Sequence, residues 1–192
     1  MKPHSLIFDD FFKDPNEAKR LCSDMPIMDY PASDGVVYPG IIDLPKKVRK
    51  EIDENFKTIY GPMYDPQLVF GRYSMEDMDP PNWAHSDGNM AQFLGLIYLF
   101  GAPLGNKYGT YMLRHIVKGF ELHPRDEEQK QLLLSQSNER EAWEETFYCP
   151  AKFNRLFILS ADYIHAAGKS FGLDQLGSRL VISVFFNLKG AT

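Results

Sequence analysis

The alternation of apolar and polar residues changes period partway along the chain. As far as Tyr60 apolar residues recur mostly at helical spacing; beyond Pro66 they fall into short runs broken by turns. Ser5-Leu6-Ile7-Phe8 predicts a brief opening strand. Asp14-Pro15-Asn16-Glu17 then supplies an N-cap acid, a proline at the first helical position and a glutamate three residues after the cap, which together start a helix. Ala18, Leu21, Cys22 and Met25 fall on one face of it and can pack on a sheet. Residues 26 to 43 are rich in Pro, Gly, Asp and Tyr and predict loop, with at most short extended pieces. Leu44 to Tyr60 predicts a second helix, with Val48, Ile52 and Phe56 on one stripe and Gly61 placed to end it. Its Lys46-Lys47-Val48-Arg49-Lys50 run is followed at once by Glu51, Asp53 and Glu54, a pattern expected of a solvated face rather than a phosphate site.

The apolar runs that follow predict strands at Leu68 to Met75, Gln92 to Phe100, Thr110 to Ile116, Thr146 to Tyr148, Arg155 to Leu159 and Leu180 to Phe186. There is no alternation of strands with helices and no Gly-rich phosphate loop, which argues against a nucleotide-binding α/β fold. A mainly β jelly roll with supporting helices fits. Pro124 to Glu145 is polar, with Leu132 to Leu134 and Trp143 as its main apolar groups, and predicts one or two helices. Such an insertion serves either as a flap over a site or as cover for a sheet edge. The chain is thus expected to be one domain over residues 1–192: a helical support region at 1–61 and a jelly-roll core at 67–188, interrupted by an insertion at 122–146.

Composition agrees with a single core. The chain has 192 residues, 44% of them hydrophobic, 24% charged and 14% aromatic, all near the values of ordinary globular domains. The formal charge of −5 supplies no basic field to attract a polyanion, so nucleic acid is not the expected partner. Cys22 and Cys149 are too few for a disulfide framework, and the first ten residues lack the pattern of a signal peptide. No apolar run approaches the roughly 20 residues of a membrane span. A cytoplasmic protein without a membrane partner is the expectation.

Candidate chemistry centres on Trp83-Ala84-His85-Ser86-Asp87-Gly88. In an extended segment the period of two sends His85 and Asp87 to the same side, so an imidazole and a carboxylate converge. A distant second imidazole would complete the two-histidine, one-carboxylate facial triad of non-heme Fe(II) sites; His165 is the candidate. A lone histidine in a strand-rich protein is more often a satisfied structural residue. That bland reading, an exposed strand-end histidine, is preferred for His115 and His123, although Arg114-His115 could line a substrate mouth. Trp83 is read first as a core aromatic and second as a shield for the metal. Gly109 is read as permitting a close turn, and Cys149 as a small core residue.

Several ordered pieces resemble the Fe(II)/2-oxoglutarate-dependent dioxygenases, in the branch that contains the prolyl hydroxylases. They are Arg72-Tyr73, His85-Ser86-Asp87, Leu96-Ile97-Tyr98-Leu99, Gly109-Thr110-Tyr111, the stretch from Phe153 to Phe157, Asp162-Tyr163-Ile164-His165 and Arg179-Leu180-Val181-Ile182-Ser183. The resemblance implies a double-stranded β-helix, the cupin-like jelly roll, with helices packed on one sheet. It implies that His85, Asp87 and His165 bind iron and that Arg179 binds the distal carboxylate of 2-oxoglutarate, with Tyr73, Tyr98 and Ser183 also against the cosubstrate. Arg179 and Ser183 fall on one face of their strand, Leu180, Ile182, Val184 and Phe186 on the other. The implied cofactors are Fe(II), 2-oxoglutarate and O2. The implied activity couples decarboxylation of 2-oxoglutarate, to succinate and CO2, with oxidation of a C–H bond in a small-molecule or peptidyl substrate. Halogenating relatives lack the carboxylate that stands here at Asp87, so hydroxylation is the expected outcome. The segment after Tyr111 and the long gap from His165 to Arg179 depart from the family pattern. The rival readings are a non-redox cupin-like module for a sugar or small acid, then a metal-dependent isomerase or a dioxygenase without 2-oxoglutarate.

Overall fold

The computed structural model describes residues 5–31, 37–76, 82–101 and 107–190. In chain order the elements are β1 (Leu6–Phe8), α1 (Pro15–Ser23), β2 (Met28–Pro31), β3 (Val37–Ile41), α2 (Lys46–Tyr60), β4 (Tyr64–Ser74) and β5 (Phe93–Tyr98). There follow β6 (Thr110–His115), α3 (Glu127–Gln136), β7 (Trp143–Cys149), β8 (Arg155–Ser160), β9 (His165–Ala167) and β10 (Arg179–Leu188). The large sheet has the order β1-β8-β5-β10-β4-β3-β2 and the small sheet the order β7-β6-β9. His85 pairs with His165 in an isolated antiparallel bridge and so adds a minimal fourth member beside β9. The core strands β4-β10-β5-β8 therefore stand against His85-β9-β6-β7. Except at the β6–β7 connection, the chain crosses from one set to the other at each step. This is a double-stranded β-helix.

Strand β10 shows how alternation builds two interiors. Leu180, Ile182, Val184 and Phe186 pack with Cys22, Val48, Ile52 and Phe56 of α1 and α2. Val181 and Phe185, on the other face, pack between the sheets with Leu94, Leu96, Tyr98, Met112 and Phe157. Both faces being covered, the strand reads as a continuous apolar run rather than an alternating one.

The helices follow their predicted signals closely. Asp14 accepts a hydrogen bond from the Glu17 N–H at 3.0 Å, closing the start of α1. The start of α2 shifts to Lys46, because Pro45 disfavours helical backbone at Leu44 and itself takes the extended cap conformation (φ −52°, ψ 133°). The basic run is a solvated face: Arg49 pairs with Asp53 and Lys50 with Glu54 at i,i+4.

Residues 26–43 are the main correction. They form the β2–β3 pair, which extends the large sheet through only Gly40 and Ile41. Pro31 and Pro39, which argue for loop in the sequence, are tolerated because proline suits strands at a sheet edge. Residues 1–61 thus supply β1 to one edge of the large sheet and β2–β3 to the other as well as helices. Strand β4 also begins early, at Tyr64, passing Pro66 by a register slip between Phe185 and Phe186 of its partner. Strand β7 starts at Trp143, so the insertion is shorter than its predicted end at 146. Within it α3 buries no residue completely; Leu132 and Leu133 lean on a cluster of Leu113, Phe120 and Trp143. Among the described residues no helix is long and apolar enough to cross a membrane.

Candidate active site

The backbone around His85 explains why three distant residues meet. The His85 N–H donates to the His165 carbonyl at 3.1 Å, and the His165 N–H returns a bond to His85 at 2.8 Å. The Asp87 N–H donates to Ala161, just past β8, at 3.0 Å. The ligating atoms of His85, Asp87 and His165 consequently lie within 4.8 Å of one another, the one such group among the described residues.

Hydrogen bonding fixes which ring nitrogens are free. Nδ1 of His85 lies 3.1 Å from the Trp83 carbonyl, and Nδ1 of His165 lies 2.9 Å from the Tyr163 carbonyl. A carbonyl only accepts, so each Nδ1 carries the proton and each Nε2 is left to ligate a metal. Burial, reinforced by neighbouring His165, pulls His85 down to about 4, which keeps it a neutral donor at physiological pH. Burial also acts to lower His165, but the hydrogen bond and charge of Asp87 outweigh it and leave the imidazole raised. For Asp87 burial acts upward, and His165 and the other nearby positive charge prevail and leave it lowered. His165 Nε2 lies 3.4 Å from Asp87 Oδ2. A divalent cation at this point would be held by His165 Nε2 and the Asp87 carboxylate together with His85.

Arg179, at the start of β10, is 3% exposed. Its Nε donates to the Tyr108 carbonyl at 3.2 Å and its guanidinium lies 5.5 Å from the Phe100 ring centre. No carboxylate pairs with it among the described residues. Burial pulls it down to about 10, with the charge of Arg72 acting in the same direction and Tyr98 opposing, so it stays a cation at neutral pH. Tyr98 also faces between the sheets, its hydroxyl 2.7 Å from Thr110 Oγ1.

One expected cosubstrate contact does not hold. Tyr73 pairs with Leu180 and packs with it against the helices, on the opposite face from Arg179. Adjacent Arg72 pairs with inward-facing Val181, and its charge acts on His85, Asp87 and Arg179. The period of two allows only one of residues 72 and 73 to face inward, and it is the arginine. Ser183 faces inward on β10, four residues of extended chain from Arg179, about 13 Å between their backbones. Val181 occupies the inward position between them.

The remaining candidates are structural. His115 is 2% exposed rather than the expected exposed strand end. Its ring stacks on Phe120, its Nε2 lies 2.8 Å from Gln136 Oε1, and its Nδ1 accepts from the Lys118 N–H. Arg114 is engaged by Glu144 and Glu121, so the Arg114-His115 pair serves the small sheet and the insertion. His123 is half-buried, its Nδ1 2.7 Å from the hydroxyl of Ser86, directly between two of the triad residues. Trp83 packs beside Tyr111 under the Arg140 guanidinium. At Gly109 a Cβ would fall 1.9 Å from the Cys149 carbonyl oxygen, so the close approach read there requires glycine. Cys149 is buried, its thiol pushed up to about 11 by burial, as suits a core residue.

No family model matches the chain, and no curated protein matches it in sequence. Solved structures do. The chain is similar to the non-heme alpha ketoglutarate dependent epimerase SnoN from nogalamycin biosynthesis, with TM-score 0.59 and 13% identity over 95% of this chain and 76% of that one. The carbocyclase SnoK from the same biosynthesis matches with TM-score 0.59 and 12% identity, over 96% and 79%. HygX from Streptomyces hygroscopicus, with nickel and 2-oxoglutarate bound, matches with TM-score 0.58 and 12% identity, over 99% and 85%. At such identities the likeness is one of fold, the same cupin-like double-stranded β-helix.

Proposed function

We propose that the chain is an Fe(II)- and 2-oxoglutarate-dependent oxygenase, and that its outcome is hydroxylation of a small-molecule or peptidyl substrate. The observation that carries this reading is Arg179, a buried cation without a carboxylate partner among the described residues, on the inner face of the barrel that holds His85, Asp87 and His165. An uncompensated buried charge is costly, and an anionic ligand relieves that cost. A guanidinium grips a carboxylate by two parallel charge-assisted bonds, so the distal carboxylate of 2-oxoglutarate suits it.

The donor set fits Fe(II): two imidazoles held by Nδ1–H bonds with Nε2 free, and one carboxylate. Bound there, the metal supplies open positions at which 2-oxoglutarate and O2 meet, coupling decarboxylation to C–H oxidation. The backbone bridge between His85 and His165 fixes their separation, and Asp87 keeps the site a three-ligand one. The Tyr98 hydroxyl, fastened to Thr110, stiffens the wall on the Arg179 side. SnoN in complex with Fe3+, alpha ketoglutarate and nogalamycin RO, and HygX with nickel, 2-oxoglutarate and hygromycin B, support this cofactor pair and favour a small-molecule substrate. The proposal stays at the level of the superfamily, because Tyr73, which contributed to the prolyl-hydroxylase likeness, does not stand beside Arg179.

The test is anaerobic addition of Fe(II) and 2-oxoglutarate. The weak visible charge-transfer band of an iron–2-oxo acid chelate is expected from the protein and not from His165→Ala. A protein that binds Fe(II) but gives no band with 2-oxoglutarate would instead be the non-redox barrel.

A further inference from the structure

The stretch that carries His85 belongs to no named strand and joins the small sheet at an isolated bridge. His85 pairs with His165, but the two residues before it are held by the segment just after α3. The Ser137 carbonyl accepts the Ala84 N–H at 2.9 Å, and the Asn138 Oδ1 accepts the Trp83 N–H at 2.9 Å. The Trp83 carbonyl in turn accepts the Nδ1–H of His85. Asn138 and the His85 ring are therefore attached to the N–H and C=O of one residue. The segment that bears Asn138 is itself fastened: the Gln136 carbonyl accepts the Trp143 Nε1–H at 2.8 Å, and Gln136 Oε1 accepts from His115. The other histidine is supported from a different segment: Leu122 bridges Tyr163, the Ile164 N–H donating to the Glu121 carbonyl at 2.8 Å and the His123 N–H to the Asp162 carbonyl at 2.6 Å, with no bond to Asn138 in that set.

From this arrangement we infer that Asn138 is a positioning residue for His85: through Trp83 it holds the carbonyl that sets the imidazole's tautomer and aim. The segment after α3 is then a brace for His85 rather than part of a free flap. The inference rests on the metal centre proposed above and not on 2-oxoglutarate. Asn138 is exposed, so its loss opens the Trp83 amide to water without leaving a cavity. Overall stability should change little, which separates positioning from folding.

The test uses the full chain loaded with Co(II). Proton NMR of the wild type should show two strongly shifted, slowly exchanging Nδ1–H signals, one per ligating histidine. In Asn138→Ala one signal should exchange at least severalfold faster while the other is unchanged. Co(II) should bind about threefold to tenfold more weakly, at the foot of the range for residues that orient a metal ligand. Asn138→Asp, which keeps an acceptor oxygen, should restore slow exchange. If Asn138→Ala does not fold, Asn138→Ser is read by the same criteria. Two unchanged signals, or two that loosen together, would overturn the inference while leaving the metal centre standing. A wild type that does not bind Co(II) would overturn both.

Discussion

Replacing Arg179 with methionine should weaken 2-oxoglutarate severely while leaving the ligand-free protein about as stable. The two effects differ for one reason. With ligand bound, the guanidinium is half of a buried charged pair, and truncating one member of such a pair costs about 2–5 kcal/mol, or roughly 30-fold to several thousand-fold in affinity. Its Nε is already committed to the Tyr108 carbonyl, which orients the terminal nitrogens in advance, so little ordering cost offsets the gain. Without ligand, the same group is a desolvated cation facing Arg72, its ordinary basicity already eroded by burial. Exchanging a buried ionic group for a packed apolar one is commonly neutral or stabilising by about 1–4 kcal/mol. Against this, the Tyr108 carbonyl loses its bond from the charged Nε, worth about 1.5–3 kcal/mol. The two contributions are of similar size and offset each other, so the ligand-free stability should change little, each kcal/mol of imbalance moving the melting temperature of a chain this size by about 2–4 °C. Affinity is read by anaerobic titration of the chelate band, and stability by melting the ligand-free protein. Binding of 2-oxoglutarate within a factor of about three of wild type, below 1 kcal/mol, would sink the assignment. A large fall in the ligand-free melting temperature would show that Arg179 is structural.

Two further outcomes follow from residues outside the pocket. His115→Ala should lower stability by about 2–3 kcal/mol, because it removes a buried stacked ring and leaves Gln136 without its partner; Fe(II) affinity should be unchanged, and a loss comparable with that of His165→Ala would mean the wrong distal ligand has been named. Asp9, gripped by Arg155 and then by Lys152, has its carboxyl held well below the usual range. A depressed carboxylate stabilises the fold above its unfolded pKa of about 4 and loses that contribution as pH falls towards the folded value, so Asp9→Asn should be the less stable protein at pH 7 by about 0.5–1 kcal/mol. The gap in urea midpoint should narrow below pH 4, and a gap that stays constant would remove the ion pair as its cause.

The site was legible wherever chemistry and periodicity coincide. His85 and Asp87 could be paired from spacing alone because alternation is a local rule, and the inward placement of Arg179 followed in the same way. For Tyr73 the family resemblance implies a role that the strand face opposes. Counting along β4 from buried, helix-facing Val69 gives Gly71 and Tyr73 outward, and Phe70 and Arg72 inward. For Ser183 the face was legible, but the parity of an extended strand says nothing about reach. β9, only three residues long, has too short a pattern to be read, although its position follows once His165 must meet His85. The β2–β3 pair was hidden because edge strands tolerate the prolines that argue against them. Asn138 carried no readable signal: its partner is a backbone N–H, and backbone contacts across 55 residues leave no mark on side-chain pattern.

The two halves of the site are built with unequal stiffness, and the difference bears on what a metal does to the fold. Arg179 stands on β10, paired along its length with β4 and along much of it with β5, and buried on both faces. Residues 82 to 87 lie outside the named strands and are held by a bridge to His165, a bond to Ala161, the contacts from Ser137 and Asn138, and the Ser86 hydroxyl against His123. The carboxylate anchor is therefore preformed by the sheet, whereas His85 and Asp87 are held by separate bonds rather than by a continuous ladder. A cation joining these two residues to His165 on β9 would close the loop from 85 to 165 with coordinate bonds. Part of its binding free energy would then appear as stability of the small sheet, since an ion that binds only the folded state stabilises it by mass action. The brace from the insertion acts in the same direction before any metal arrives, because each bond that holds Trp83 and Ala84 reduces the ordering that binding must still impose.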